Sequence, residues 1–375
     1  MKKSNLLFIS MSGEMLGGGQ KSLLLLLERL DRNKYNPFLI CPSYGNFIKK
    51  VEKLGIETSL LKTGSLKNIN IFSFIAAIRK LFKFIKQNDI DLIHTDAPRQ
   101  TFYAGIAARL TKIPLVWHVR ISEPDIKRYD RTLIFLAHKV IAVSKAVEKR
   151  LEKATPKSKK IEVIYNGINL AEFGPQHPKE KLKKEFGIDQ ENILIGTASQ
   201  LIPSKGHRVL LEAAARTLDV FPELKFIIIG DGNKTYRQEL LNLSQELGIE
   251  NNVVFAGFRE DIPPLINLMD IVVLPSTHPE GLSRLLLEAM ASSKPMIASA
   301  VGGNLESVED GTTGLIVNPR DVDSLSRAIL ELVQNKKLRN QMGAAGRKRA
   351  EKLFNIDQNV ARIERIYEEL LCRNI

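Results

Sequence analysis

Residues 275–290 read PSTHPEGLSRLLLEAM and follow directly on Ile271, Val272, Val273 and Leu274, an apolar run that makes a short strand buried on both faces. The leucines at 282, 285, 286 and 287 then begin a helix, which puts Glu280 where strand gives way to helix. In an open α/β sheet ligands bind at that edge, because unpaired backbone N–H groups and the positive end of the helix dipole face the crevice. A phosphate fits there. Glu288 stands eight residues further on, about two turns at ~3.6 residues per turn, so both carboxylates fall roughly on one face with Glu280 at the helix mouth. A carboxylate accepts two hydroxyls, each charged hydrogen bond contributing ~1.5–3 kcal/mol. Two acids so spaced suit two polyols joined through a phosphate linker, which describes a nucleotide sugar. The plainer alternative is a helix-start acid plus a solvated acid, and an isolated E-x7-E supports no more than that.

The flanks decide between them. From Pro275 through EGLSRLLLEAMASSKPMIASAVGGNLESVEDGTTGLIVNP to Pro319, the chain closely resembles the donor-binding half of the retaining GT-B glycosyltransferases of family 4, and the resemblance extends over nearly the whole sequence. It implies an α/β fold of the GT-B type, two doubly wound Rossmann-like domains facing across a cleft. It also implies that the first acid, Glu280, contacts the donor sugar and the second, Glu288, holds the ribose. Gly281, Leu282, Ser283 and Arg284 between them belong to the same donor-binding segment.

Composition sets the outer bounds. A chain of 375 residues, 44% hydrophobic and 26% charged, buries an ample core in two or three domains. Cys41 and Cys372 are the only cysteines, which argues against a disulfide framework and for a reducing cytoplasm. The start MKKSNLLFISMSG has a basic end and an apolar run, yet the run is too short for a signal peptide and reads as a first strand. No stretch approaches ~18 consecutive apolar residues, so no membrane span is expected. The net charge of +13 asks for an acidic partner. Zinc-finger spacing, aromatic RNA-binding motifs and helix-turn-helix signatures are missing, so an anionic membrane or a phosphorylated substrate fits better than nucleic acid.

Taken in order, residues 6–10 read as a strand, and the loop MSGEMLGGGQ leads into a helix over 21–30. Glycines at a helix start let backbone N–H groups approach a ligand. The dinucleotide fingerprint fails because Ser22 stands where its third glycine belongs, which disfavours a dehydrogenase. In the resembled family the matching glycines, here Gly18 and Gly19, contact the distal phosphate and the acceptor. Residues 71–86, IFSFIAAIRKLFKFIK, place apolar residues at 71, 72, 75, 78, 81, 82 and 85, while Arg79, Lys80, Lys83 and Lys86 supply only positive charge. This pattern suits a helix lying on an anionic membrane, or equally a core helix with a basic rim. Some members of the family that use lipid-linked acceptors carry such a helix. The run IPLVWHVRI carries His118 at the end of a strand and resembles the family segment whose histidine sits beside the donor sugar. His94 reads as structural. Asn166 and Gly167, in IEVIYNGINLAEF, resemble a signature at the end of the first domain.

Residues 171–179 have linker composition, and a second series of strands is expected at 193–198, 226–230, 253–256, 271–274 and 296–299. The expected division is 1–172 for an acceptor domain, 173–354 for a donor domain, and 355–375 for a helix returning to the first. In SQLIPSKGHRVLLEAAA, Lys205 precedes a helix, where its charge can neutralise a departing diphosphate. The resembled family pairs that lysine with an arginine; Gln200 stands in the arginine's place, and Arg208 or Arg284 are the remaining candidates for the missing charge.

With these readings, the resemblance implies catalytic roles for Lys205, Glu280 and His118 in a retaining transfer from a UDP- or GDP-linked sugar to a hydroxyl of a cell-envelope glycan or glycolipid. The enzyme is expected in the cytoplasm or at the inner face of the plasma membrane. Asp89 with Asp91, and Asp321 with Asp323, have the D-x-D spacing of metal-dependent transferases of another fold. Turn and capping roles suit them better, so no metal or other cofactor is expected. A nucleotide-sugar epimerase of the same fold and a non-catalytic membrane-associated scaffold are the competing readings.

Overall fold

The computed structural model describes residues 3–15, 17–64, 70–121, 127–175, 180–189 and 191–372. Residues 176–179 of the expected linker, the first two residues of the basic N-terminus and the last three of the expected C-terminal segment lie outside these. The chain divides into two compact units: residues 1–167 with 356–375, and residues 168–355.

In unit one, β1 (Ser4–Ile9), β2 (Tyr35–Cys41), β3 (Glu57–Leu60), β4 (Ile90–Thr95), β5 (Leu115–Val119), β6 (Lys139–Ala142) and β7 (Ile161–Val163) form a parallel sheet. Their order is β3-β2-β1-β4-β5-β6-β7. Alternation along β1 shows why the strands read as unbroken apolar runs: Leu6 and Phe8 enter one hydrophobic cluster, Leu7 and Ile9 another on the opposite face. The strand order reverses between β1 and β4, the switch point where such sheets bind ligands at their carboxyl edge.

The last helix, Ile356–Cys372, packs on this unit. Ile356, Val360, Ile363, Tyr367 and Leu370 recur at helical spacing and join the cluster containing Leu23, Leu26 and Leu92. Polar contacts pin it further: the Asp31 N–H donates to Glu364 Oε1 at 2.8 Å, Arg362 Nη2 donates to Val163 O at 2.8 Å, and Tyr367 Oη meets His94 Nδ1 at 2.7 Å. Gly167 admits the start of this helix, since a Cβ there would stand 2.5 Å from Ile356 Cα.

Unit two holds β8 (Leu194–Ala198), β9 (Lys225–Ile229), β10 (Val253–Gly257), β11 (Ile271–Leu274), β12 (Met296–Ser299) and β13 (Gly314–Val317), again all parallel, in the order β10-β9-β8-β11-β12-β13. Its switch point lies between β8 and β11.

The division between units falls at Gly167 rather than 172, because the Ile168 N–H donates to Phe354 O at 2.7 Å and residues 168 and 355 bridge. The helices Lys336–Leu353 and Ile356–Cys372 flank that bridge. The first helix begins at Gly18, three residues earlier than its apolar pattern indicates. The helix Ile71–Gln87 splits its stripe. Ile78, Leu81 and Ile85 face the core, while Ile71, Phe72, Ile75 and Phe82 are exposed beside Arg79, Lys80, Lys83 and Lys86. Three of the D-x-D aspartates have structural partners: Asp91 Oδ2 accepts from the Asn5 N–H, Asp321 Oδ1 caps the helix Val322–Gln334 through the Ser324 N–H, and Asp323 pairs with Arg216.

Two buried histidines couple this packing to pH. Burial lowers His94 to about 3, and burial followed by the charge of Lys205 lowers His207 to about 4. Below about pH 6.5 the unfolded chain takes up protons that these folded side chains refuse, so their stabilisation is full above that pH and is lost as pH falls. At about pH 5 each costs about 2 kcal/mol of stability. The urea midpoint is expected to drop between about pH 7 and about pH 5, and His207→Gln to remove part of the drop; equal midpoints would contradict this account.

Candidate active site

In unit two the site is built by close backbone approach. Gly206 has φ +73° and a Cβ on it would lie 1.9 Å from Pro275 O, so only glycine lets the loop after β8 press on the loop after β11. The Thr277 N–H donates to Ser204 O at 2.8 Å and locks the two loops. This contact delivers Lys205 to Glu280: its Nζ donates to Oε1 at 2.7 Å and to Oε2 at 2.9 Å. The fully buried Ser276 adds a third donor, Oγ to Glu280 Oε1 at 2.6 Å.

Behind Glu280, Gly302 and Gly303 press on the main chain. Cβ atoms there would fall 2.2 Å from Glu280 O and 2.1 Å from Gly281 O, and the Gly303 N–H donates to Glu280 O at 2.9 Å. Glu280 is therefore held at its carboxylate by Lys205 and Ser276 and at its main chain by Gly302 and Gly303.

Glu280 does not stand at the helix mouth. The helix Arg284–Ala291 begins four residues later, with Ser283 as its N-cap, because Gly281 and Leu282 are spent bringing the chain under Gly303. Glu288 lies inside that helix and is buried, and Arg284 Nε and Nη2, one turn before it, donate to its Oε1 at 3.2 and 3.1 Å. Leu282 and Ser283 are buried, whereas Gln200 is exposed beyond β8. Neither arginine suggested for the missing charge joins Lys205: Arg208 pairs with Glu212 and Arg284 with Glu288.

In unit one, His118 is the penultimate residue of β5 and fully enclosed. Its Nδ1 lies 3.2 Å from Arg120 Nη2, and Arg120 Nη1 donates to Asn166 Oδ1 at 2.6 Å. Gly18 and Gly19 open the helix Gly18–Arg29, and a Cβ on Gly19 would approach Arg120 Cδ to 3.8 Å. The glycine turn and the histidine strand thus meet through Arg120. Burial, then Arg120, then His94 hold His118 well below the usual imidazole range. Asp96, beyond β4, is pushed up to about 6 by burial against the pull of Arg120 and of the Ser10 hydroxyl. Beside the helix Ile71–Gln87 lies a cavity of about 610 Å³, lined by Tyr44, Leu60, Lys62, Ser73 and Lys80 among others.

Ser276, Gly302, Gly303 and Arg120 escaped the sequence reading as site residues. Ser276 carried a faint signal, a serine one strand-end turn ahead of Glu280; the others become visible only through contacts distant in sequence. Among the described residues no three metal-ligating side chains cluster.

Comparison with known proteins places the chain among glycosyltransferases. Residues 16–172 match the family described as Glycosyltransferase Family 4, and residues 178–349 match Glycosyl transferases group 1. An Escherichia coli protein described as UDP-Gal:alpha-D-GlcNAc-diphosphoundecaprenol alpha-1,3-galactosyltransferase is 26% identical over 372 residues, covering 95% of each chain. The Staphylococcus aureus capsular polysaccharide biosynthesis glycosyltransferase CapM is 25% identical over 81% of this chain and 83% of its own. The crystal structure of Anabaena HepE in complex with UDP and glucose superposes with a TM-score of 0.87 at 26% identity, covering 97% of this chain and 99% of that one. The matches span both parallel-sheet units, and the chain belongs to the GT-B glycosyltransferases of family 4.

Proposed function

We propose that the chain moves a hexose, with retention of anomeric configuration, from a UDP- or GDP-linked donor to a hydroxyl of a cell-envelope glycan or glycolipid. The observation that carries this reading is the Lys205–Glu280 pair, locked by Ser276 and followed by the buried Glu288. A departing diphosphate needs positive charge where its oxygens develop negative charge, and Lys205 supplies it. Glu280 orients the sugar hydroxyls and Glu288 the ribose, each as a fixed acceptor. The N–H groups of Gly18 and Gly19, and of the 281–284 segment, offer further donors to phosphate. His118 is the third residue we assign to the reaction. The departing phosphate takes the acceptor's proton, so no enzymatic nucleophile and no metal ion is required.

The relatives support the two substrates. The name of the E. coli relative specifies a UDP-linked donor and a diphosphoundecaprenol-linked acceptor, and HepE was crystallised with UDP-glucose. On this chain the cavity lined by Lys62 and Lys80 suits the anionic part of such an acceptor. The exposed apolar and basic side chains of the helix Ile71–Gln87 would rest on an anionic membrane at the cytoplasmic face.

One transfer assay tests the reaction. With the cognate donor the wild-type chain should give product of the donor's own anomeric configuration, undiminished in chelator. Lys205→Ala should lower kcat/KM about 30- to 1,000-fold, the equivalent of ~2–4 kcal/mol of transition-state stabilisation. Unchanged turnover by a folded Lys205→Ala, an inverted product, or complete loss in chelator would each overturn the corresponding part. For the membrane contact, replacing Arg79, Lys80, Lys83 and Lys86 by Ser should weaken sedimentation with anionic vesicles by of the order of 100-fold or more at low salt, at about 1 kcal/mol per cation. Equal sedimentation of variant and wild type would remove the membrane from the account.

A further inference from the structure

The hydrogen bond between Arg120 and His118 has only one possible polarity. A guanidinium carries five N–H donors, no acceptor, and a permanent charge. Because Arg120 Nη2 lies 3.2 Å from His118 Nδ1, Nδ1 must present its lone pair. The one remaining ring proton then sits on Nε2, and the doubly protonated ring is excluded. Arg120 is itself anchored by Asn166 Oδ1 at 2.6 Å. Asn166 is buried, and the adjacent Gly167 is pressed against Ile356 of the last helix. Nε2 of His118 is buried and has no hydrogen-bond partner among the described atoms. Such an unsatisfied donor calls for an oxygen partner that the described protein atoms do not supply.

We propose that Arg120, anchored by Asn166, is a positioning residue that holds His118 neutral with its proton on Nε2, so that His118 meets its ligand as a hydrogen-bond donor and not as a base. The ligand class is a neutral oxygen acceptor, and on the transfer reading above it is a sugar hydroxyl.

The other titratable groups around His118 come from β4, the residue just beyond it, and the last helix. His94 on β4 places its ring centroid 5.3 Å away, Asp96 lies just beyond the same strand, and Tyr367 of the last helix bonds to His94. Burial pushes Asp96 up to about 6, so an activity profile alone would mix its protonation with that of His118. The ring nitrogens must be read directly.

The test is long-range proton–nitrogen NMR on the full chain labelled at histidine nitrogens, with His118→Gln identifying the signals. In the wild type, Nδ1 should appear bare and Nε2 protonated, unchanged between about pH 5.5 and pH 8. Arg120→Met should move both nitrogens toward a mixture of tautomers, while Arg120→Lys, still a donor, should restore the single form. Should Arg120→Met fail to fold, Asn166→Ala, which loosens Arg120 without removing its charge, should shift the nitrogens in the same direction. A wild-type proton on Nδ1, titration of wild-type His118 in that range, or a spectrum unchanged in the folded variant would overturn the proposal. The readout needs neither donor nor acceptor. A chain with the expected nitrogens that transfers no sugar would sink the transfer reading alone, and a transferring chain with its proton on Nδ1 would sink this one alone.

Discussion

The position of one carboxylate depends on main-chain contacts that a side chain would forbid. Gly206 against Pro275, Gly302 against Glu280 and Gly303 against Gly281 bring three loops of unit two to van der Waals distance of one another. Those loops lie beyond the carboxyl edge of one parallel sheet, on either side of its switch point. Once they are packed, Lys205, Ser276 and Glu280 have little choice but to meet, and an exposed flexible ion pair becomes a rigid one. That rigidity is the relevant property, since stabilisation of a developing charge requires groups that need not reorganise when it appears.

Unit one solves a related problem with side chains. His94 and His118 occupy neighbouring strands in an interior where imidazolium is disfavoured, and each has one nitrogen engaged by a partner, Tyr367 for His94 and Arg120 for His118. The last helix contributes to both arrangements, directly through Tyr367 and indirectly by packing against Gly167 beside Asn166. A helix remote in sequence therefore shapes the surroundings of a strand-end histidine.

Much of this was legible before any coordinates, and the limits have physical causes. β11 and β12 could be read to the residue because strands buried on both faces are unbroken apolar runs bounded by polar turns. β13 was missed because its four residues follow a glycine-rich turn and half of them are only partly buried. Lys205 and Glu280 stand out in the sequence as charged residues just before periodic segments, and Glu288 as an acid within one. The start of the helix Arg284–Ala291 was misread because leucine at 282 fits the helical period yet is buried by the loop instead. Partners such as Ser276 on Glu280, or Asn166 on Arg120, depend on which loops touch, and local periodicity carries no such information. The same holds for the exposed half of the helix Ile71–Gln87: period gives the stripe, and only packing shows which part the core takes.

The central claim is that unit two holds a nucleoside diphosphate through Glu288 and the loop around Glu280. The most direct measurement is thermal denaturation of the wild type and Glu288→Ala, side by side, with UDP, GDP and ADP. With ligand at about 100 times its Kd, binding adds ~2.7 kcal/mol and raises the melting temperature. The account predicts a rise with one nucleotide in the wild type and its loss in Glu288→Ala. No rise with any of the three, or an equal rise in the variant, would contradict it.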